Sequence, residues 1–264
     1  MTLTLNISPC PNDTFMFDAL VNGRIGTGGY RFEVDFADIE ELNRRVSADG
    51  GSGEGSPDIC KISYAALPAI TDRYTLLDSG SALGSGNGPV FVTRPGAGEI
   101  KTVAIPGLRT TANLLLQKLY PTITDLRPMM FSEIAPAVAR GDVDAGVLIH
   151  EGRFTWHEHG LELVADLGVE WDRATGGLPL PLGAIVARCG LPPKVVRDVE
   201  GLIRRSIEYG FAHPAASREF IRAHAREMND GVIDNHIALF VNDNSLSIGP
   251  EALRAIEALT GVTF

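Results

Sequence analysis

Leu3, Leu5 and Ile7 alternate with Thr4 and Asn6, a period of two that predicts a half-buried β-strand at the start of the chain. Residues 15–21 then carry a helix-like apolar run closed by Asn22-Gly23. The same alternation returns over residues 30–36 and is followed by an amphipathic helix over 38–46, with Asp38 as its cap. Residues 58–64 predict a third strand, residues 65–70 a short helix, and residues 74–78 and 90–93 two more strands. Strand, helix, strand, helix and strand follow over 102–105, 112–119, 126–131, 132–140 (capped by Ser132 and stopped by Gly141) and 144–149. Residues 161–167 and 182–188 read as strands, and the rest of the chain is helical over 193–211, 217–225, 230–240 and 250–259.

This order predicts an α/β protein of two lobes, with a ligand cleft between them. The first lobe is expected to be discontinuous, residues 1–94 and 182–264, and to include the C-terminal helices; the second spans 95–181. The crossings are placed at Arg94-Pro95-Gly96-Ala97-Gly98 and near the turn Gly176-Gly177-Leu178-Pro179-Leu180-Pro181. Two strand-to-helix turns, one per lobe, would face each other: Ser8-Pro9-Cys10-Pro11-Asn12-Asp13-Thr14, where Asn12, Asp13 or Thr14 is the expected N-cap, and Pro106-Gly107-Leu108-Arg109-Thr110-Thr111. Such turns at the carboxyl ends of strands are where open α/β sheets hold ligands. The Gly/Ser-rich stretch at 47–57 reads as a flexible surface loop without P-loop order, and the glycines at 84–88 lack the dinucleotide spacing and a following helix.

Charge and cysteine count narrow the partners. Lys and Arg number 23 against 33 Asp and Glu, a formal net charge of -10, with no basic block. Nucleic acid and anionic membrane surfaces are therefore not expected partners; a local site can still oppose the global charge and bind a small anionic substrate. The three cysteines, Cys10, Cys60 and Cys189, form no CxxC pair, so neither a zinc knuckle nor a disulfide framework is expected. No apolar run approaches membrane-spanning length, and the N-terminus goes straight into a strand, so a cytoplasmic protein is expected.

His150 ends an otherwise apolar strand, where loops build sites. Histidine, with an ordinary pKa of about 6.5, can exchange a proton at neutral pH; His150 is a general base or a structural histidine bonded to backbone. Thr110 and Thr111 open a helix and either form an anion site with its amides or simply cap it. Lys61 and Ser63, two apart on a strand, share one face; Lys61 neutralises a carboxylate or is a surface lysine. Ser8, Asn12 and Asp13 of the first turn are candidate ligand contacts. Cys10, beside a helix start, is a packing or ligand-contact residue in preference to a nucleophile. His157-Glu158-His159 is read as a loop in preference to a metal site, so no metal is expected.

Ser8-Pro9-Cys10-Pro11-Asn12-Asp13-Thr14-Phe15 resembles the N-terminal signature of the 1,4-dihydroxy-6-naphthoate synthases, enzymes of the futalosine route to menaquinone. Residues 61–66, 86–89, 109–112 and 148–153 and the pair Val241-Asn242 are similar to the family in the same order, so the resemblance spans essentially the whole chain; the Gly/Ser-rich stretch at 48–56 is longer than usual. The resemblance implies a fold like the type II periplasmic binding proteins. It also implies a lyase reaction that releases 1,4-dihydroxy-6-naphthoate from cyclic dehypoxanthine futalosine, with no metal or organic cofactor. His150 matches the family's proton acceptor; Lys61, Ile62 and Ser63, and Thr110 with Thr111, match its ligand-binding segments. Chorismate dehydratase of the same route is the nearest rival, against which the full opening signature argues. A non-catalytic solute-binding protein, expected to carry an export signal, and a transcription-factor effector domain, expected to carry a helix-turn-helix, are the others.

Overall fold

The computed structural model describes residues 1–47, 56–225 and 229–264. Strands β1 (Thr2–Ile7), β2 (Arg31–Phe36), β3 (Ile59–Ser63), β4 (Tyr74–Leu76) and β5 (Ala82–Gly84) come first. Strands β6 (Val90–Thr93), β7 (Thr102–Ile105), β8 (Asp125–Pro128), β9 (Ala145–Leu148) and β10 (Glu162–Asp166) follow, and β11 (Leu180–Arg188) is last. The helices are α1 (Pro11–Val21), α2 (Ile39–Val46), α3 (Thr111–Leu119), α4 (Phe131–Arg140), α5 (Gly152–Thr155), α6 (Leu167–Thr175), α7 (Pro193–Ala212), α8 (Arg218–His224), α9 (Asp230–Phe240), α10 (Asp243–Leu246) and α11 (Pro250–Thr260).

Two sheets divide these strands. The first runs β2-β1-β3-β11-β4, with β5 also paired to β11; the second runs β10-β6-β9-β7-β8. In the first, β1 is parallel to β2 and β3, and β11 is antiparallel to β3. In the second, β7 is parallel to β8 and β9, while β6 runs antiparallel to β9. The carboxyl ends of β1 and β3 therefore lie at one edge of the first sheet, and those of β7 and β9 at one edge of the second. These four ends and the loops that leave them carry Ser8, Ser63, Thr110 and His150, the side of an open α/β sheet on which ligands bind.

Helical burial follows the apolar spacing. Helix α7 buries Val195, Val199, Leu202, Ile203 and Ile207, the stripe expected of a period near 3.6, in a cluster that also takes in Phe15 and Phe17 of α1 and Leu3, Leu5 and Ile7 of β1. On the second sheet, Ile134 and Val138 of α4 pack with Val92, Ala104 and Leu148. A third cluster joins residues of both sheets, from Ile62 and Val186 to Phe91, Val103 and Val147. Among the described residues no helix is long and apolar enough to cross a membrane.

The structure departs from the sequence reading in several places. Strand β6, assigned to the first lobe, hydrogen-bonds in the second sheet, so the chain crosses between Gly84 and Val90 rather than near residue 95. An apolar strand fits either sheet by pattern alone. Helix α1 begins at Pro11, four residues early, with Cys10 at the N-cap position; Asn12, Asp13 and Thr14 are not caps but first-turn residues. A proline at the first helical position, where its missing amide has no intrahelical role, accounts for this. The cap position of α4 is Met130, not Ser132. Residues 64–69 form a 3-10 turn, and α6 occupies a stretch without a predicted element. Of the Gly/Ser-rich loop, residues 48–55 lie outside the described residues.

The first crossing runs backbone against backbone over the start of α6. A Cβ on Gly168 would lie 2.0 Å from the carbonyl carbon of Asn87, and the Leu167 amide donates to the Pro89 carbonyl at 2.9 Å. Gly168→Ala is expected to lower unfolding free energy by about 1–3 kcal/mol, the scale of an overpacked contact, measured by urea denaturation. An unchanged midpoint would contradict this packing.

Candidate functional site

The opening turn is built around Asp13. With Pro11 starting the helix, Asp13 falls in the first turn, fully buried, and accepts four hydrogen bonds. Its Oδ2 accepts from the Ser8 amide (3.2 Å) and the Ser8 hydroxyl (2.6 Å). Its Oδ1 accepts from Asn12 Nδ2 (2.9 Å) and from the Lys61 ammonium (2.6 Å). Lys61 is itself only 4% exposed. The lysine predicted to neutralise a carboxylate therefore does so within the protein, and Asp13 gathers the three neighbouring donors rather than standing open to ligand.

Strand alternation sorts the β3 residues. Lys61 and Ser63 face the cleft, whereas Ile62 points its side chain into the core with Tyr64 and Val186, so it offers the cleft no side chain. Lys61 reaches Asp13 across Gly183 of β11, which pairs with Ser63; a Cβ at Gly183 would stand 2.6 Å from Lys61 Cε. Ser63 is held by Asn43 of α2, which donates to its hydroxyl (3.0 Å) and accepts from its amide (2.7 Å).

His150 leaves β9 from the opposite lobe with φ of 54°, making it the sole non-glycine in the left-handed region among the described residues. For an L-residue that conformation is strained. Its Nδ1 lies 3.2 Å from the Cys10 sulfur, and the Phe131 ring meets its imidazole edge-on at 4.8 Å. An imidazole is thus within reach of the Cys10 thiol, yet burial, reinforced by the charges of Asp13 and Glu151, pushes that thiol well up. The sulfur stays protonated and is a contact for His150, not a thiolate.

Thr110 caps α3: its hydroxyl donates to the Gly107 carbonyl (2.8 Å) and accepts from the Asn113 amide (3.2 Å). The Thr111 hydroxyl crosses to the first lobe, donating to the Leu182 carbonyl (3.0 Å) and accepting from the Ala65 amide (3.3 Å). The hydroxyls therefore cap and bridge, while the first amides of α3, like those of any helix, have no intrahelical partner. Two more bonds join the lobes here: Asn43 donates to the Arg109 carbonyl (3.2 Å), and the Arg109 amide donates to Glu40 (3.0 Å).

Ser8, Asn12, Asp13, Lys61, Ser63, Thr110, Thr111 and His150 all line one cleft of roughly 700 Å³, counting its open mouth. Among the other wall residues, the two with ionisable side chains, Arg153 and His236, are not among the sequence-predicted site residues. Arg153 donates to the Gly88 carbonyl and to Asp166 (2.8 Å), fastening α5 to the crossing. His236, 2% exposed, sits on the buried face of α9 with Ile233 and Phe240. That spacing was the available signal: a histidine on an otherwise apolar helical face. Its Nε2 lies 3.1 Å from Asn12 Oδ1. Burial, with the charges of His150 and Lys61, pushes its pKa down to about 3. His157 and His159 are exposed, and among the described residues no group of three or more His, Cys, Asp or Glu side chains could hold a metal ion.

Two α/β lobes with a ligand cleft at their facing strand ends define a periplasmic-binding-protein-like fold. A ligand-binding component of an ABC-type import system from Staphylococcus aureus superposes with a TM-score of 0.71 at 14% identity, covering 98% of this chain and 90% of that one. A Candida albicans protein described as having the generic periplasmic binding protein fold gives 0.70 at 11%, over the same shares. A family model described as Menaquinone biosynthesis matches residues 3–264, and the chain belongs to that family. Relatives named 1,4-dihydroxy-6-naphtoate synthase are 42% identical in Streptomyces coelicolor (98% of this chain, 91% of the relative) and 44% in Thermus thermophilus (97% and 92%).

Two stability measurements check this geometry. Lys61→Ala strands a buried carboxylate and is expected to cost about 3–5 kcal/mol by chemical denaturation; a loss under about 1 kcal/mol would mean the pair is not buried. His150→Gly and His150→Ala both lose the imidazole, but only glycine relieves the left-handed backbone. The glycine variant is expected to be the more stable by about 1–2 kcal/mol, and equal stabilities would contradict the strain.

Proposed function

We propose that this protein is a carbon–carbon lyase that converts cyclic dehypoxanthine futalosine to 1,4-dihydroxy-6-naphthoate, with His150 as general base. The observation that carries the reading is the meeting of His150 from the second lobe with Lys61, Ser63 and the Asp13 turn of the first, in one cleft of a chain 42–44% identical to enzymes of that name.

The substrate is a small anion, with a carboxylate on its aromatic part and hydroxyls on its sugar-derived part. The amides of Thr111 and Ala112, opening α3, are suited to hold the carboxylate, because a helix N-terminus presents donors and a favourable dipole to negative charge. At the other end His150 takes a proton from the sugar-derived part. In the tautomer that carries its proton on Nδ1, beside the Cys10 sulfur, His150 keeps on Nε2 the lone pair that a base requires. As the carbon–carbon bond breaks, its electron pair passes to the aromatic part as an oxyanion, to which the Ser63 hydroxyl, accepting from Asn43, can donate its own proton. The hydrogen bonds from Thr111 and Asn43 between lobes hold the cleft closed around the ligand and limit water.

The test is incubation of the purified protein with cyclic dehypoxanthine futalosine and chromatographic detection of the naphthoate. Product is expected, and His150→Ala is expected to lower kcat by about 10² or more. Binding without product would favour a non-catalytic binding protein, and undiminished turnover by His150→Ala would remove that residue from the role of base.

A further inference from the structure

One wall of the cleft carries a hydrogen-bond acceptor that none of the described residues satisfies. His236 Nδ1 is buried and, among the described residues, without a partner. Its protonation follows from the chain of contacts behind it. Asp13, held by Lys61, only accepts, so Asn12 must turn its NH₂ toward Asp13 and its carbonyl oxygen toward His236. An amide oxygen also only accepts, so His236 Nε2 must carry the hydrogen, and Nδ1 is left with a lone pair. Burial and the neighbouring His150 and Lys61 charges oppose protonating that nitrogen.

We propose that His236 is a substrate-binding residue whose Nδ1 accepts a hydrogen bond from a hydroxyl of the sugar-derived part of the substrate. The proposal rests on the functional reading above and adds the ligand's orientation to it. An acceptor with no proton to give rejects a carboxylate and welcomes a hydroxyl. Its ring lies nearly parallel to that of His150, 24° off, with centroids 6.2 Å apart. The hydroxyl it receives is therefore close to the position where His150 takes its proton, and the carboxylate is directed to the other end of the cleft. A buried acceptor left empty is costly, so filling it selects for the hydroxylated ligand. Asn12 is the positioning residue, because it fixes which nitrogen faces the ligand.

Two substitutions separate this role from a structural one. His236→Gln retains a donor that reaches Asn12 and loses the Nδ1 acceptor; His236→Asn retains an acceptor oxygen near the Nδ1 position and loses the bond to Asn12. With cyclic dehypoxanthine futalosine as substrate, His236→Gln is expected to raise KM about tenfold or more, and His236→Asn to stay within a few-fold of the wild type. The reverse order, or an unchanged KM in His236→Gln, would overturn the proposal. Should either variant fail to fold, ¹⁵N-histidine NMR of the His150→Ala protein decides. The His236 Nδ1 resonance is expected to shift on adding the same compound, and saturation of the site without a shift would overturn the contact. Absence of both binding and product with the wild-type protein would instead overturn the functional reading, and the hydroxyl contact with it.

Discussion

The buried ion pair between Asp13 and Lys61 is the contact on which the site depends. It joins the first turn of α1 to the middle of β3, through two residues 48 positions apart in the sequence. Taking both charges out of water is expensive unless the remaining donors and acceptors are also satisfied. Here Ser8 and Asn12 complete the carboxylate's shell, and Gly183 leaves the space the lysine needs. The same shell orients Asn12, and Asn12 fixes the tautomer of His236. A single charge pair thereby sets a sequence of donors and acceptors along one wall of the cleft.

The second lobe brings the strained element. His150 adopts a left-handed backbone at the end of β9, against Cys10 of the first lobe. Strain of this kind persists when surrounding contacts over-determine it; here those contacts are the Cys10 sulfur and the Phe131 ring. The bonds made by Thr111, Asn43 and Arg109 hold the second lobe where His150 faces the first. In the proposed reaction the proton acceptor and the oxyanion donor come from different lobes, so the proposed site is complete only when the two are together.

Much of this was legible in the sequence, and the rest fails for identifiable reasons. Alternation in residues 3–7 and 30–36 and the apolar stripe over 193–211 correspond to β1, β2 and α7, because each buries one face. Pattern does not say which sheet a strand joins, which is why β6 was placed in the wrong lobe. Helix α6 is short, with a glycine in its first turn that propensity disfavours and only the close crossing explains. The strand ends carrying Lys61, Ser63 and His150 could be read as site positions from alternation and turn placement. The partner of Lys61, the contact between Cys10 and His150 and the place of His236 could not, since each depends on residues brought together from 48, 140 and 224 positions apart.

A crystal structure of the His150→Ala protein with cyclic dehypoxanthine futalosine bound would test the central claim most directly. The expected ligand lies between the lobes, its carboxylate at the first amides of α3 and its sugar-derived part beside position 150 and His236, with the Asp13–Lys61 pair intact beneath it. A ligand bound outside the cleft, or one with its carboxylate against His236, would contradict the account.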